Sequence, residues 1–289
     1  MRLLAESKNN LLVILIGILA FTSTMTMLML VQYPSTTIIE SDQNQERHSL
    51  QKPFYLGFDH IFIISTGGNS RRYRFMKAQF EAMRANFTLF QAYTDDNQAR
   101  IQEFMKTFPD FKETESSNVK RSHFGAYHAA LQAGYNNVLI MEDDVDFDFA
   151  ASSLIPAAIS QLPLKEWDYL GLFFNLEGSP VEEKLSNATN NLYKMKLKQP
   201  LWIGGVAYAL TKKAMKHLLK EGISNGLPGD VTVRDYIMTG AFNGFVVNPL
   251  MVDHLGHSAE FPSQRQNMGG YPPYKSRLAN SIFEALRTE

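Results

Sequence analysis

Val138-Leu139-Ile140-Met141-Glu142-Asp143-Asp144-Val145-Asp146-Phe147-Asp148 is the stretch on which the reading of this chain turns. Four consecutive apolar residues, preceded by the turn-forming Gly134-Tyr135-Asn136-Asn137, predict a short buried strand. Five carboxylates then fall within positions 142 to 148. Two carboxylates about 4 Å apart repel by roughly 4 kcal/mol at an effective dielectric near 20, so crowding them costs stability unless positive charge sits among them. A hard dication with oxygen ligands, Mn²⁺ or Mg²⁺, meets that need. In open α/β sheets ligands bind beyond the carboxyl ends of the strands, so an acid cluster delivered there reads as a metal-diphosphate site.

Three other readings compete. A merely solvated acidic loop suits Asp148, the carboxylate furthest from the strand, but not Glu142-Asp143-Asp144, which follow the apolar run with no polar spacer. An EF-hand starting at Asp144 fails, because its sixth position is Phe149 instead of Gly and its twelfth Ile155 instead of Glu. An aspartyl-phosphate phosphatase wants a small hydroxyl or β-branched residue where Asp148 stands.

Working outward, 60–65 is an apolar strand followed by the loop 66–70, with Ser70 as a helix N-cap. Met76, Phe80 and Met83 then form one helical stripe, a core face. Arg71, Arg72 and Arg74 open this helix, where cations oppose the dipole and an anionic ligand would offset the cost. A strand at 88–92, a helix through Ile101 and Met105, and a helix opening at Arg121 lead back to the acidic strand. The order strand, helix, strand, helix, helix, strand predicts a right-handed α/β sheet. Further on, the sequence predicts a helix over 154–162, strands over 167–174, 202–210 and 245–247, and helices over 211–220 and from 228. Gly204 and Gly205 suggest close approach of a backbone or ligand.

Bulk properties narrow the function classes. The formal charge of −1 over 289 residues argues against a nucleic-acid partner, whose footprint is strongly basic. No cysteine is present, which removes disulfides, thiolate metal sites and a cysteine nucleophile. Residues 11–31 carry no charge, and at about 1.5 Å per residue they span roughly 30 Å, a bilayer core. Arg2 and Lys8 precede this run and Glu40, Asp42 and Glu46 follow it, favouring a cytosolic N-terminus and a signal anchor over a cleaved signal peptide. The expected organisation is therefore a tail at 1–10, a transmembrane anchor at 11–31, a polar stem at 32–53, a catalytic domain at 54–260 and a C-terminal tail at 261–289. Asn86-Phe87-Thr88 and Asn187-Ala188-Thr189 are glycosylation triplets, in keeping with luminal exposure.

Taken together, the arginine-bearing helix after the first strand, Ser122-His123, Leu139 to Val145, Gly205-Val206-Ala207-Tyr208, Asp230 and Pro249 to Val252 resemble glycosyltransferase family 25, the lipooligosaccharide and procollagen galactosyltransferases, over roughly 58–260. The resemblance implies a GT-A-like nucleotide-binding domain with a mixed sheet. It also implies a metal-dependent, inverting transfer of a hexose, galactose foremost, from a UDP-sugar. The acceptor would be a glycan, glycoprotein or glycolipid, and the setting a Golgi or endoplasmic reticulum membrane with the domain luminal. By the same resemblance Asp144, with Asp143 or Asp146, holds the Mn²⁺, and His257 or His254 completes its shell. Asp230 or Asp235 supplies the base that inversion requires. Arg71, Arg72 and Asp95, with Ser122, His123, Glu142 and Asp143, contact the donor. A catalytically inactive relative that binds sugar nucleotide as a partner subunit is the alternative.

Overall fold

The computed structural model describes residues 53–68, 70–163, 166–173, 183–184, 192–195, 204–247, 250–256 and 276–287. The expected anchor at 11–31 and all of the stem but its last residue, Pro53, lie outside these residues; no helix among the described residues is long and apolar enough to cross a membrane.

Strand β1 (His60–Ser65) is buried along its whole length and lies parallel to β2 (Thr88–Gln91) on one side and β3 (Asn137–Glu142) on the other. A strand with parallel neighbours on both sides requires crossovers, supplied by α1 (Arg71–Ala82) and by the pair α2 (Gln98–Thr107) and α3 (Ser117–Gln132). Beyond β3 the sheet becomes mixed. β8 (Ala207–Thr211) runs antiparallel to both β3 and β5 (Tyr169–Gly171), and β9 (Gly244–Val247) is parallel to β5. β7 (Leu192–Lys194) and β6 (Glu183–Lys184) close the far edge, giving the order β2-β1-β3-β8-β5-β9-β7-β6.

The period of two along these strands sorts the core into two layers. Ile61, Ile63, Leu139, Met141, Ala207 and Ala209 point to one face, where α1 and α4 (Ala151–Gln161) cover them with Met76, Phe80 and Ile155. Phe62, Ile64, Val138, Ile140, Tyr208 and Leu210 point to the other. There α3 and α5 (Lys212–His217), which continues as a π-turn over Leu218–Gly222, bring Phe124, Tyr127 and Met215. Helix α6 (Gly229–Met238) packs on α3.

Two elements begin earlier than the sequence predicts. α3 starts at Ser117, where Ser117 Oγ donates to Thr114 O; this polar start looks like loop until that bond is seen. α4 starts at Ala151, because Asp148 Oδ1 accepts from Ala150 N and turns the chain directly into the helix. Asp148 is thus buried at 3% exposure, not solvated.

A second, two-stranded sheet pairs β4 (Val145–Phe147) antiparallel with β10 (Val252–His254). The C-terminal α7 (Ile282–Arg287) lies against β4, with Ile282 and Phe283 buried. Part of the expected C-terminal tail is therefore packed on the domain.

Candidate active site

The sheet's winding reverses between β1 and β3: from β1 the chain crosses to β2 on one side and then returns to β3 on the other. The carboxyl ends of two such strands diverge and leave a crevice. Here the crevice is a cavity of ≈ 790 Å³. Ser65 and Thr66 at the end of β1 and Glu142, Asp143 and Asp144 at the end of β3 form one wall, and Arg72 from α1 joins them. The β2–α2 loop contributes Tyr93 and Asp95, and α3 contributes Asn118, Arg121, Ser122 and His123.

Arg72 supplies positive charge among the acids. Its Nη1 lies 3.3 Å from Asp143 Oδ1 and 3.0 Å from Asp144 Oδ2, in a setting where all three side chains are at most 15% exposed. His254 is a second partner, with Nε2 3.4 Å from Asp144 Oδ2. It reaches the site because β10 pairs with β4, setting His254 opposite Val145.

The two neighbouring carboxyls are pushed in opposite directions. Burial raises Asp143 above the usual carboxylate range, and the Asp144 charge adds to this; the 2.5 Å bond from Ser65 Oγ and the Arg72 contact pull against it without prevailing. Burial also pushes Asp144 upward, but the His254 hydrogen bond and charge, with Arg72, more than offset it and leave Asp144 low. His254 shows the reciprocal shift: burial lowers it, and the Asp144 bond and charge raise it beyond the usual imidazole range. Carboxyls driven apart in this way divide the work, one staying ionised while its neighbour more readily holds a proton.

The donor set fits a dication. Asp144 Oδ1 is buried without a hydrogen-bond partner, an acceptor left for something absent from the protein itself. A Cβ added at Gly256 would stand 2.5 Å from Asp144 Oδ2 and against His254 Nε2, so only glycine leaves that pair its room. Among the described residues no three or more His, Asp or Glu side chains converge as a closed cage. A hard cation held by one or two carboxylates and completed by water does not require such a cage.

The expected site residues divide plainly. Arg72, Asp95, Ser122, His123, Glu142, Asp143 and Asp144 come together in the cavity wall. Ser122 does so as a strut, accepting from Tyr93 N at 2.9 Å and donating to Asn118 O at 2.7 Å. Arg71 is exposed and outside the wall. Asp146, expected as a metal ligand, is instead fully buried and accepts from Ser276 Oγ, Ser281 Oγ and Phe283 N at 2.6–3.0 Å. The pleat explains this: Val145 and Phe147 face the core, so Asp146 between them faces the opposite way, toward the C-terminal segment. Asp230 and Asp235, the expected bases, also lie outside the wall. α6 meets α3 on its Lys120–Phe124 side, whereas Asn118, Arg121 and Ser122 line the cavity. Asp235 pairs with Arg234 at 3.2 Å, partly exposed to solvent. His257 lies outside the described residues.

Sequence reasoning missed Ser65, Tyr93, Asn118 and Arg121. Ser65 carried a signal, the last residue of an apolar strand. The others did not, since a polar loop and a helix start give no indication of which cavity they line.

No curated protein matches this chain. Among solved structures it is similar to a mannose-1-phosphate geranyltransferase from Thermus thermophilus, at 14% identity over 68% of this chain and 76% of that one, with a TM-score of 0.39. It is also similar to a glycosyltransferase involved in the glycosylation of the major capsid of PBCV-1, at 13% identity over 69% and 84%, with a TM-score of 0.36. The sequence itself is decisive: the model of glycosyltransferase family 25 (LPS biosynthesis protein) matches residues 58–233, more than half the chain and every cavity-wall element described above. A glycosyltransferase is what the strand-end acids and their cavity belong to, and the chain is a member of glycosyltransferase family 25.

Proposed function

We propose that the cavity is the donor site of a GT-A-like, metal-dependent inverting glycosyltransferase that takes a UDP-sugar and passes its hexose, galactose foremost, to a glycan, glycoprotein or glycolipid hydroxyl. The observation that carries this reading is the buried, unpartnered Oδ1 of Asp144 in a wall that also holds Asp143, Glu142 and a guanidinium. Asp144 would hold Mn²⁺ or Mg²⁺ with His254 beside it. When bound, the metal supplies positive charge against the leaving diphosphate. Arg72 adds fixed positive charge on the same side, and Asp143, steadied by Ser65, keeps the carboxylate pair in register. The Tyr93–Asp95 loop and the start of α3 wall off the remainder of the cavity, which at ≈ 790 Å³ is large enough for a sugar nucleotide. The uncharged run at 11–31 supports anchoring in a Golgi or endoplasmic reticulum membrane with the domain luminal.

Calorimetry of the full chain in detergent, with UDP in the presence of Mn²⁺ and of chelator, tests the reading, followed by a hydrolysis screen over several UDP-sugars. UDP binding should need the metal and should be lost in Asp144→Ala. UDP affinity indifferent to both would place the donor elsewhere.

A further inference from the structure

Behind the cavity wall a file of hydrogen-bonded side chains runs into the core. Glu142 Oε1 lies 3.3 Å from His123 Nε2, and the imidazole's other nitrogen, Nδ1, lies 2.7 Å from the Tyr208 hydroxyl. The Tyr208 hydroxyl in turn lies 2.5 Å from that of Tyr127. His123, Tyr208 and Tyr127 are at most 4% exposed, whereas the Glu142 side chain is 33% exposed at the cavity. Three elements supply the file: β3, α3 and β8, the last pairing antiparallel with β3 so that Tyr208 stands opposite Ile140. The His123 and Tyr208 rings stack at 5.7 Å and 17°, as do those of Tyr208 and Tyr169. Gly205 packs over the exposed end, where an added Cβ would sit 3.4 Å from Glu142 Oε1 and 3.5 Å from His123 Nε2.

The chemistry of the four groups fixes the direction of the file. With Glu142 Oε1 as the acceptor, His123 Nε2 carries the proton that points at it. Nδ1 of that tautomer only accepts, so the Tyr208 hydroxyl donates to it. The Tyr208 oxygen then accepts from Tyr127. Burial raises both phenols further above their ordinary range, so each keeps the proton it donates. Each proton in the file is thereby donated once, the Tyr208 hydroxyl both donating and accepting, and one Glu142 oxygen remains for a ligand.

We propose that His123 is a positioning residue: locked in its Nε2–H tautomer by Tyr208 and Tyr127, it fixes the Glu142 carboxylate in the cavity wall as the acceptor for a hydroxyl of the bound donor. The donor half of this statement rests on the function proposed above; the tautomer half does not. A lone glutamate on a strand end would sample several rotamers, and the file removes that freedom before ligand arrives, which is how a buried polar network contributes to binding.

The test uses full-length protein in detergent, labelled with ¹⁵N in its histidine rings and assigned with a His123→Gln sample. Without ligand, the His123 signals should show a protonated Nε2 and an accepting Nδ1. A protonated Nδ1, or protons on both nitrogens, would overturn the proposal with no variant needed. Tyr208→Phe should abolish the tautomer preference and weaken UDP-sugar binding, read as donor KM, about tenfold. Tyr127→Phe, one bond further from the site, should cost comparable thermal stability yet change donor KM about twofold at most. Donor KM that follows melting temperature across both variants, or a wild-type tautomer signal in Tyr208→Phe, would reduce the file to packing. Wild-type protein that shows the expected tautomer but binds no UDP would remove the donor reading and its half of the proposal, leaving the positioning of Glu142.

Discussion

Replacing Arg72 by methionine keeps most of the side-chain volume and removes the cation between Asp143 and Asp144. Its Nη1 contacts both carboxylates, at 3.3 and 3.0 Å, and the carboxyl side chains are 9% and 5% exposed. Removing one partner of a buried ion pair costs about 3–5 kcal/mol, because the remaining charge is left uncompensated. His254 still faces Asp144 and Ser65 still donates to Asp143, so the low end, about 3 kcal/mol, is expected. For a domain of this size that lowers the melting temperature by about 6–12 °C. The pH dependence carries the sign. Asp144 is depressed in the folded state, so its contribution is present above the ordinary carboxylate pKa of about 3.9 and is lost as pH falls through its folded value. Asp143 is already raised and would rise further without Arg72, which costs stability only where the group must ionise. Both effects open the gap between wild type and variant as pH rises through the carboxylate range and close it in acid. Manganese should stabilise the variant by about 2.7 kcal/mol at a hundredfold excess over its Kd, and wild type by less at the same concentration, since there the dication shares the two carboxylates with the guanidinium. Calorimetric melts of the full chain at about pH 7 and at a pH below the depressed Asp144 value, with and without Mn²⁺, give the deficit, its pH dependence and its rescue. Equal melting temperatures near neutrality, or the same deficit at both pH values, would refute the electrostatic account of this wall.

Other consequences separate ligand from strut. Asp146→Ala strands three donors, two of them buried, and should cost about 3 kcal/mol, read by denaturant melts, while the protein that remains folded binds UDP with Mn²⁺ as before. Lost metal-dependent UDP binding at full stability would return Asp146 to the ligand shell. Gly256→Ala forces a methyl between Asp144 and His254; a stability loss of about 1–3 kcal/mol and at least tenfold weaker Mn²⁺ binding by calorimetry are expected. An alanine variant binding Mn²⁺ like wild type would show that the metal does not use that pair. His254 is raised when folded, so its contribution is complete below the ordinary imidazole value of about 6.5 and fades as pH rises through its folded value. His254→Ala should therefore flatten the decline in stability above neutrality, and an unaltered slope in melting temperature against pH would assign the decline to another group.

Much of the fold was legible because its signals are local. The apolar run at 138–141, the alternation that sends Leu139 and Met141 to one face and Val138 and Ile140 to the other, and the Ser70 cap all act within a few residues of themselves. The strand-helix order up to Glu142 then left little choice, since parallel neighbours demand crossovers and crossovers take one hand. It also placed Glu142, Asp143 and Asp144 at a strand end, with Arg72 one crossover away. What the sequence could not rank was the acids among themselves. Asp144 and Asp146 are two residues apart and chemically identical, yet one has an unpartnered oxygen in the cavity wall and the other is tied to Ser276, Ser281 and Phe283. Only the pairing of β4 with β10, over a hundred residues away in sequence, and the packing of α7 on β4 decide between them. The same pairing brings in His254, and the packing of α6 on the far side of α3 keeps Asp230 and Asp235 out of the wall. Residue type and spacing determined that a crowded anionic edge would exist; long-range contacts decided which carboxylates face the cavity, because a side chain's partner is chosen by whatever the fold brings within about 3 Å of it and not by its neighbours along the chain.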